Sequence, residues 1–147
     1  MAVLRANPYG NQNFLVELGT GSGPESGFCE VVIPGISVDA IEYRTGSDKQ
    51  NAVRKLPGLA HYGDVILRRG IIGSLDLYNW INDVRNGAAN SRRNVSIQLL
   101  AEDRTPVLTW KLYNAWPSKY TGPALNAKGT DVAMEELVLA YERLEIE

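Results

Sequence analysis

One cysteine, Cys29, and one histidine, His61, are all the sequence has of the two side chains that most often carry reactive or metal-bound chemistry. A lone thiol excludes an intramolecular disulfide, and one thiol with one imidazole excludes a Cys/His zinc cluster. The carboxylates that remain do not follow the spacing of a calcium-binding loop. Long apolar runs are missing as well. No segment has the continuous apolar length of a membrane-spanning helix, and Met1 to Gln12 lacks the apolar stretch of a secretion signal. The formal net charge is only −2, which gives no overall attraction to nucleic acid or to an anionic membrane. These absences lead to the expectation of a soluble protein made in the cytoplasm, with no metal, no cofactor and no membrane insertion by this chain.

Catalytic arrangements are equally scarce. A Ser-His-Asp hydrolase would have to use His61 as its base, yet no serine stands in a G-x-S-x-G turn. The stretch "GTGSGP" lacks the third glycine of a dinucleotide-binding turn and the Gly-Lys-Ser/Thr of a phosphate loop, so it reads as a turn. Glu135 and Glu136 are adjacent, but neighbours in a strand point to opposite faces and would not flank one sugar. They read as solvated or interface charge. Cys29, inside "FCEVVIP", reads as a small buried hydrophobe. The expectation is no enzyme, with no catalytic, cofactor-binding or metal-binding residue.

What the chain does have is a foldable composition and short alternating segments. With 44% apolar and 22% charged residues it has the make-up of one domain, residues 1–147. Phe14, Val16 and Leu18 alternate as in a half-buried strand, and "FCEVVIP" is a second strand stopped by Pro34. "VDAIEYR" alternates from Val38, "TGSDKQNAVRK" offers almost nothing to bury, and "YGDVILRRG" resumes the strand pattern. One helix stands out, at about residues 74–86. Ser74 is placed to cap it, Leu77, Trp80, Ile81 and Val84 form one stripe, and Gly87 suits its left-handed end. "NVSIQLLA" and "PVLTWKLYNAW" follow as strands around the turn "EDRTP", and "NAWPSKYTGPALNAKGT" reads as a punctuated connection. The final "DVAMEELVLAYERLEIE" is ambiguous, with alternation favouring a strand and composition favouring a helix. One helix among six or seven short strands predicts a mainly β sandwich or barrel.

Charge is segregated by region. Six basic residues between Arg44 and Arg69 face two acids, a net +4, while six acids between Asp131 and Glu147 face Arg143, a net −5. Such patches either neutralise each other within one molecule or bring copies together head to tail. The basic stretch lacks interleaved aromatics apart from Tyr43 and Tyr62, so specific nucleic-acid recognition is not expected.

The order "EYRTGSDKQNAVRKLPGLAHYGDVILRRG", "LYNWINDVRNG", "PVLTWKLYNAWPSKYTGPALNA" and "VAMEELVLAYERLE" closely resembles the tail tube proteins of contractile phage tails and of phage-derived contractile injection systems. The most specific parts are Leu56-Pro57-Gly58, Arg69-Gly70, Trp80, Asn114-Ala115-Trp116-Pro117 with Gly122-Pro123, and the closing segment from Glu136 to Glu142. The resemblance implies a tail-tube β-sandwich or barrel with one flanking helix, and a long protruding hairpin from Val38 to Gly63. It implies hexameric rings stacked into a hollow tube for DNA or protein cargo. The implied partners are further copies of the chain, a contractile sheath, a baseplate hub and spike, and a terminator or cap, all within a virion tail or injection particle. Relatives use the last segment as a strand, so strand is assigned there. Candidate inter-subunit contacts are Tyr43, Arg44, Asp48, Lys49, Arg54, Lys55, Arg68, Arg69, Glu142 and Glu145. The alternatives are a tube-initiating or terminal paralogue and, from a different class, a monomeric secreted β-barrel effector.

Overall fold

The computed structural model describes residues 2–19 and 27–147. Nine strands and one helix follow in the order β1 (Phe14–Glu17), β2 (Phe28–Val32), β3 (Ile36–Tyr43), β4 (Arg54–Tyr62), β5 (Val65–Gly70), α1 (Asp76–Arg85), β6 (Arg93–Leu100), β7 (Pro106–Thr121), β8 (Met134–Ala140) and β9 (Arg143–Ile146). The main sheet runs β1-β6-β7-β8-β5-β2, with β9 also on β7, and every pairing is antiparallel. β3 and β4 pair only with each other, as a separate two-stranded sheet.

The main sheet folds over itself along β7. The first part of that strand pairs with β6 and β9, and the second part, from Trp116, pairs with β8. Between them Asn114 takes a left-handed φ of 53°, a conformation that Asn tolerates better than most side chains. Inward residues from both halves therefore meet in one core. Val16, Leu18, Val95, Ile97 and Leu112 come from one side, and Val65, Leu67, Leu137 and Leu139 from the other, all essentially without exposure. Period-2 alternation is clean in β5 and β8, whose residues alternate between buried and half-buried.

Helix α1 lies against β7 and buries Leu77 and Trp80, with Ile81 and Val84 half-buried beside them. The Trp80 indole N–H donates to the Ser91 carbonyl at 2.6 Å, and the Arg93 guanidinium covers its ring. The expected stripe is thus the packing face, and Gly87 takes its left-handed φ of 73° just past the end. The cap position is Leu75, not Ser74, yet the Ser74 hydroxyl still serves the helix start: it accepts the Asp76 N–H at 3.5 Å and donates to the Asp76 carboxylate at 2.8 Å.

Four further expectations change. The described residues form nine strands, seven in the main sheet and two in the hairpin, against the six or seven read from the sequence. "NAWPSKYT" is not a connection, because β7 continues through Pro117, which sits at a register shift where a missing N–H is tolerated. "RKLPGLAHY" is itself the strand β4. Cys29 is exposed rather than buried, because a register shift between Phe28 and Glu30 turns it outward. The last segment is strand, as two pieces, β8 and β9, separated at Tyr141 and Glu142. The glycine-rich turn at 19–27 lies mostly outside the described residues.

Candidate assembly surfaces

The β3–β4 hairpin is exposed almost from end to end. All eight residues of β3 are exposed, and in β4 only Gly58 and Tyr62 are half-covered. A sequence that alternates should bury one face, and this one buries neither. Ile36, Val38, Ile41, Tyr43, Val53, Leu56 and Leu59 all stand in solvent. A lone two-stranded sheet is marginal in water. The arm is therefore not poor in apolar residues, as the polar stretch at its tip had suggested; it is apolar and unseated. Its register shifts between Val38, which pairs with Ala60, and Ala40, which pairs with Pro57, so Gly58 and Leu59 lie across the shift. Space is tight at Gly58, since a Cβ there would lie 3.0 Å from Ile41 Cδ1 and 3.2 Å from Asp39 Cβ and would press on both.

Charges at the hairpin tip are spent on the tip itself. Asp48 accepts hydrogen bonds from the Thr45 N–H at 3.1 Å and hydroxyl at 2.9 Å, and pairs with Arg54 at 2.6 Å. The backbone and hydroxyl bonds from Thr45, with Arg54 behind them, hold the Asp48 carboxyl below its ordinary value. Arg44 donates to the carbonyls of Gln50 and Asp48 and to the Asn51 side chain. Lys55 lies across from Glu42 in register, Tyr43 across from Arg54, and Lys49 is exposed.

The two charged regions meet inside the molecule. β5 pairs with β8 so that Arg68 is opposite Glu136 and Arg69 opposite Glu135. On the outer face Arg68 bridges Glu30 at 3.0 Å and Glu136 at 3.2 Å. On the inner face Arg69 is 2% exposed. It binds Glu135 at 2.5 Å and both carboxylate oxygens of Asp76, with the Phe28 ring over its guanidinium, while the Tyr120 hydroxyl donates to Glu135 at 2.6 Å. Burial pulls the Arg69 value down, but its bonds to Asp76 and Glu135 outweigh that and leave it raised. Arg69 therefore ties α1 to the sheet within one chain, its guanidinium buried and fully engaged, and Glu135 is buried charge, not solvated charge. Both were legible as such: Val65, Leu67 and Arg69 share a face by period 2, as do Glu135, Leu137 and Leu139.

The C-terminal acids lie elsewhere. Glu142 pairs with Arg92 at 2.8 Å and accepts from Asn114 at 2.8 Å, and Glu145 pairs with Arg143 and accepts from Tyr113. His61 is an exposed hairpin residue bonded to Asp39 at 2.8 Å. Among the described residues no group of three or more His, Cys, Asp or Glu is placed to hold a metal ion. Among the described residues no helix is long and apolar enough to cross a membrane.

A family model, that of the T4-like virus tail tube protein gp19, matches residues 10–145. Among solved structures the chain is similar to a chain of the sheath–tube complex of an extracellular contractile injection system, PVC, in the extended state. That match has a TM-score of 0.82 at 29% identity and covers 95% of this chain and 91% of the other. A chain of the PVC sheath/tube terminator in the extended state matches with a TM-score of 0.83 at 28% identity, over 97% and 98%. Hcp1 from Flavobacterium johnsoniae shares the fold at a TM-score of 0.55 and 13% identity, over 90% and 93%. No curated protein matches significantly.

Proposed function

The chain belongs to the T4-like virus tail tube protein family, and from that premise we propose that it is a subunit of the inner tube of a contractile injection machine, joined with identical copies into hexameric rings that stack into a hollow conduit for DNA or protein cargo. The observation that carries this reading is the hairpin: a two-stranded sheet with aliphatic side chains on show and no body to pack on is complete only in an assembly. Tyr43, Lys49 and Lys55 are the exposed hairpin residues we assign to inter-subunit contacts, with Arg44, Asp48 and Arg54 shaping the tip that makes them. Arg68, Glu142 and Glu145 are assigned to contacts as half-used ion-pair groups at the surface. The partners are a sheath around the tube, a baseplate hub and spike at one end and a terminator or cap at the other. Similarity to chains of PVC sheath–tube and terminator complexes supports the sheath and the terminator among them. Electron microscopy of the purified protein tests the reading. Hollow filaments or six-fold rings are expected, and single 16.2 kDa particles at high concentration would overturn it.

A further inference from the structure

Residues 3–9 are held in one conformation almost without burial. Ala2 to Pro8 are exposed, Leu4 at 97%, and only Tyr9 is half-buried. Fixing such a segment costs conformational entropy that no apolar contact here offsets. One guanidinium supplies the bonds instead. Arg5 Nε donates to the Asn7 carbonyl at 2.7 Å and Nη2 to the Pro8 carbonyl at 2.8 Å. Nη1 and Nη2 also donate to the two Glu102 carboxylate oxygens, at 2.7 and 2.8 Å. The guanidinium carbon lies 3.8 Å from the centre of the Tyr9 ring, and the Tyr9 hydroxyl donates to the Val3 carbonyl at 2.8 Å. The segment thus curls around Arg5 and is fastened to the main sheet at two points, Glu102 and the Val107 carbonyl, which accepts the Val3 N–H at 2.9 Å.

The anchor needs no help from the segment it holds. Glu102 stands on the turn between β6 and β7, where the Ala101 N–H donates to the Thr105 carbonyl and Asp103 accepts from the Thr105 N–H and hydroxyl. An ion pair as exposed as this one, 31% at Arg5 and 65% at Glu102, contributes little by itself. Its weight comes from the bidentate geometry and from the two carbonyls and the ring that the same group engages. The bond from Arg5 is the main reason the Glu102 carboxyl sits well below its ordinary value. We infer that residues 3–9 are a strap with two states, closed over the β6–β7 turn or open, and that the Arg5–Glu102 pair is the pin on which closure depends. Losing Glu102 frees Arg5, and with it the Tyr9 ring and the Val3–Val107 bond, so the strap opens as a unit. Opening exposes the Val107 carbonyl at the edge of β7, beside the stretch from Thr109 onward that β9 already covers. The strap is thus a gate on one edge of the main sheet, independent of the hairpin and of the tube reading.

Trypsin reads the state of the strap, because it cuts after Arg5 only when that side chain has left its partners. The dispersed full chain, its Glu102→Gln variant and a free peptide of residues 2–12 are digested side by side, and cleavage between Arg5 and Ala6 is followed by mass spectrometry. The wild type is expected to be cut roughly tenfold more slowly than the peptide, and the variant at nearly the peptide's rate. Glu102 is exposed and outside the core, so the variant keeps the fold, which circular dichroism checks. Equal rates for wild type and variant, or wild type cut as fast as the peptide, would overturn the inference. Hydrogen exchange tests whether the strap moves as one piece. The Val3 amide is expected to be protected in the wild type and to lose roughly tenfold of that protection in Glu102→Gln. A Val3 amide unprotected in the wild type, or equally protected in both proteins, would overturn the inference as well.

Discussion

Arg69 is the residue whose environment departs most from what its type prefers. A buried guanidinium holds together the carboxylates of Glu135 and Asp76, and removing it alone leaves Glu135 charged and unpaired in the core. Arg69→Met is therefore predicted to destabilise the fold by about 3–5 kcal/mol in urea unfolding, with much of that restored when Glu135→Leu is added. Burial pushes the Asp76 carboxyl up, but bonds from Arg69, Ser74 and the Leu77 N–H prevail and hold it below its ordinary value. A carboxyl depressed in the folded state stabilises the fold above its unfolded value and loses that contribution as pH falls through the folded one. Stability should accordingly fall below about pH 4, and Asp76→Asn should be less stable at neutral pH but lose less on acidification. Tyr141 presents the opposite case. Its buried hydroxyl has no hydrogen-bond partner among the described residues, and burial, with Asp64 and Tyr62 near, raises its value. Tyr141→Phe removes an unsatisfied group and is predicted to leave stability unchanged or to raise its urea midpoint.

Two elements show where sequence reading succeeds and where it stops. α1 was legible because Leu77, Trp80, Ile81 and Val84 keep the helical period to the end, and the core strands were legible wherever one face is buried. β7 was read as a strand only to Trp116, with a connection already starting at Asn114. Asn114 and Pro117 carry the local chemistry of a turn, and only the partner strands β6, β8 and β9 make them a bend and a register shift within one long strand. β4 was not legible from the pattern alone and came only as the return arm of the hairpin that the resemblance implied, since Pro57 and Gly58 interrupt the alternation near a register shift that only the pairing with β3 explains. The hairpin they form should exchange its amide hydrogens quickly at residues 36–62 in dispersed protein and slowly in assembled particles. Exchange that stays fast after assembly would contradict its seating on a neighbour. Gly58→Val crowds Ile41 and Asp39 without touching the core. It is predicted to reduce tube yield in sedimentation while leaving the thermal midpoint of the dispersed protein within a few degrees.

At the scale of the molecule, the resemblance supplied the tube and the structure supplies its logic. The net +4 and −5 regions suggested charge-driven stacking, but Arg68 and Arg69 meet Glu136 and Glu135 within one chain, and the exposed hairpin offers Ile36, Val38, Ile41, Leu56 and Leu59 beside its remaining charges, Lys49 and Lys55 among them. Charge composition did not reveal this because the pairing depends on the β5–β8 register. Tubes are therefore expected to persist at roughly 1 M sodium chloride, where screening acts within about 3 Å. Dissolution at that salt would restore the electrostatic picture. The hairpin can be removed without opening the body, because the Gly63 N–H lies 3.5 Å from the Gly35 carbonyl at its base. Replacing residues 36–62 with a short Gly-Ser turn and following sedimentation velocity beside the wild type is the most direct measurement. The predicted result is a folded protein with the wild-type melting midpoint that never sediments as a tube; tubes formed by this variant as readily as by the wild type would contradict the account.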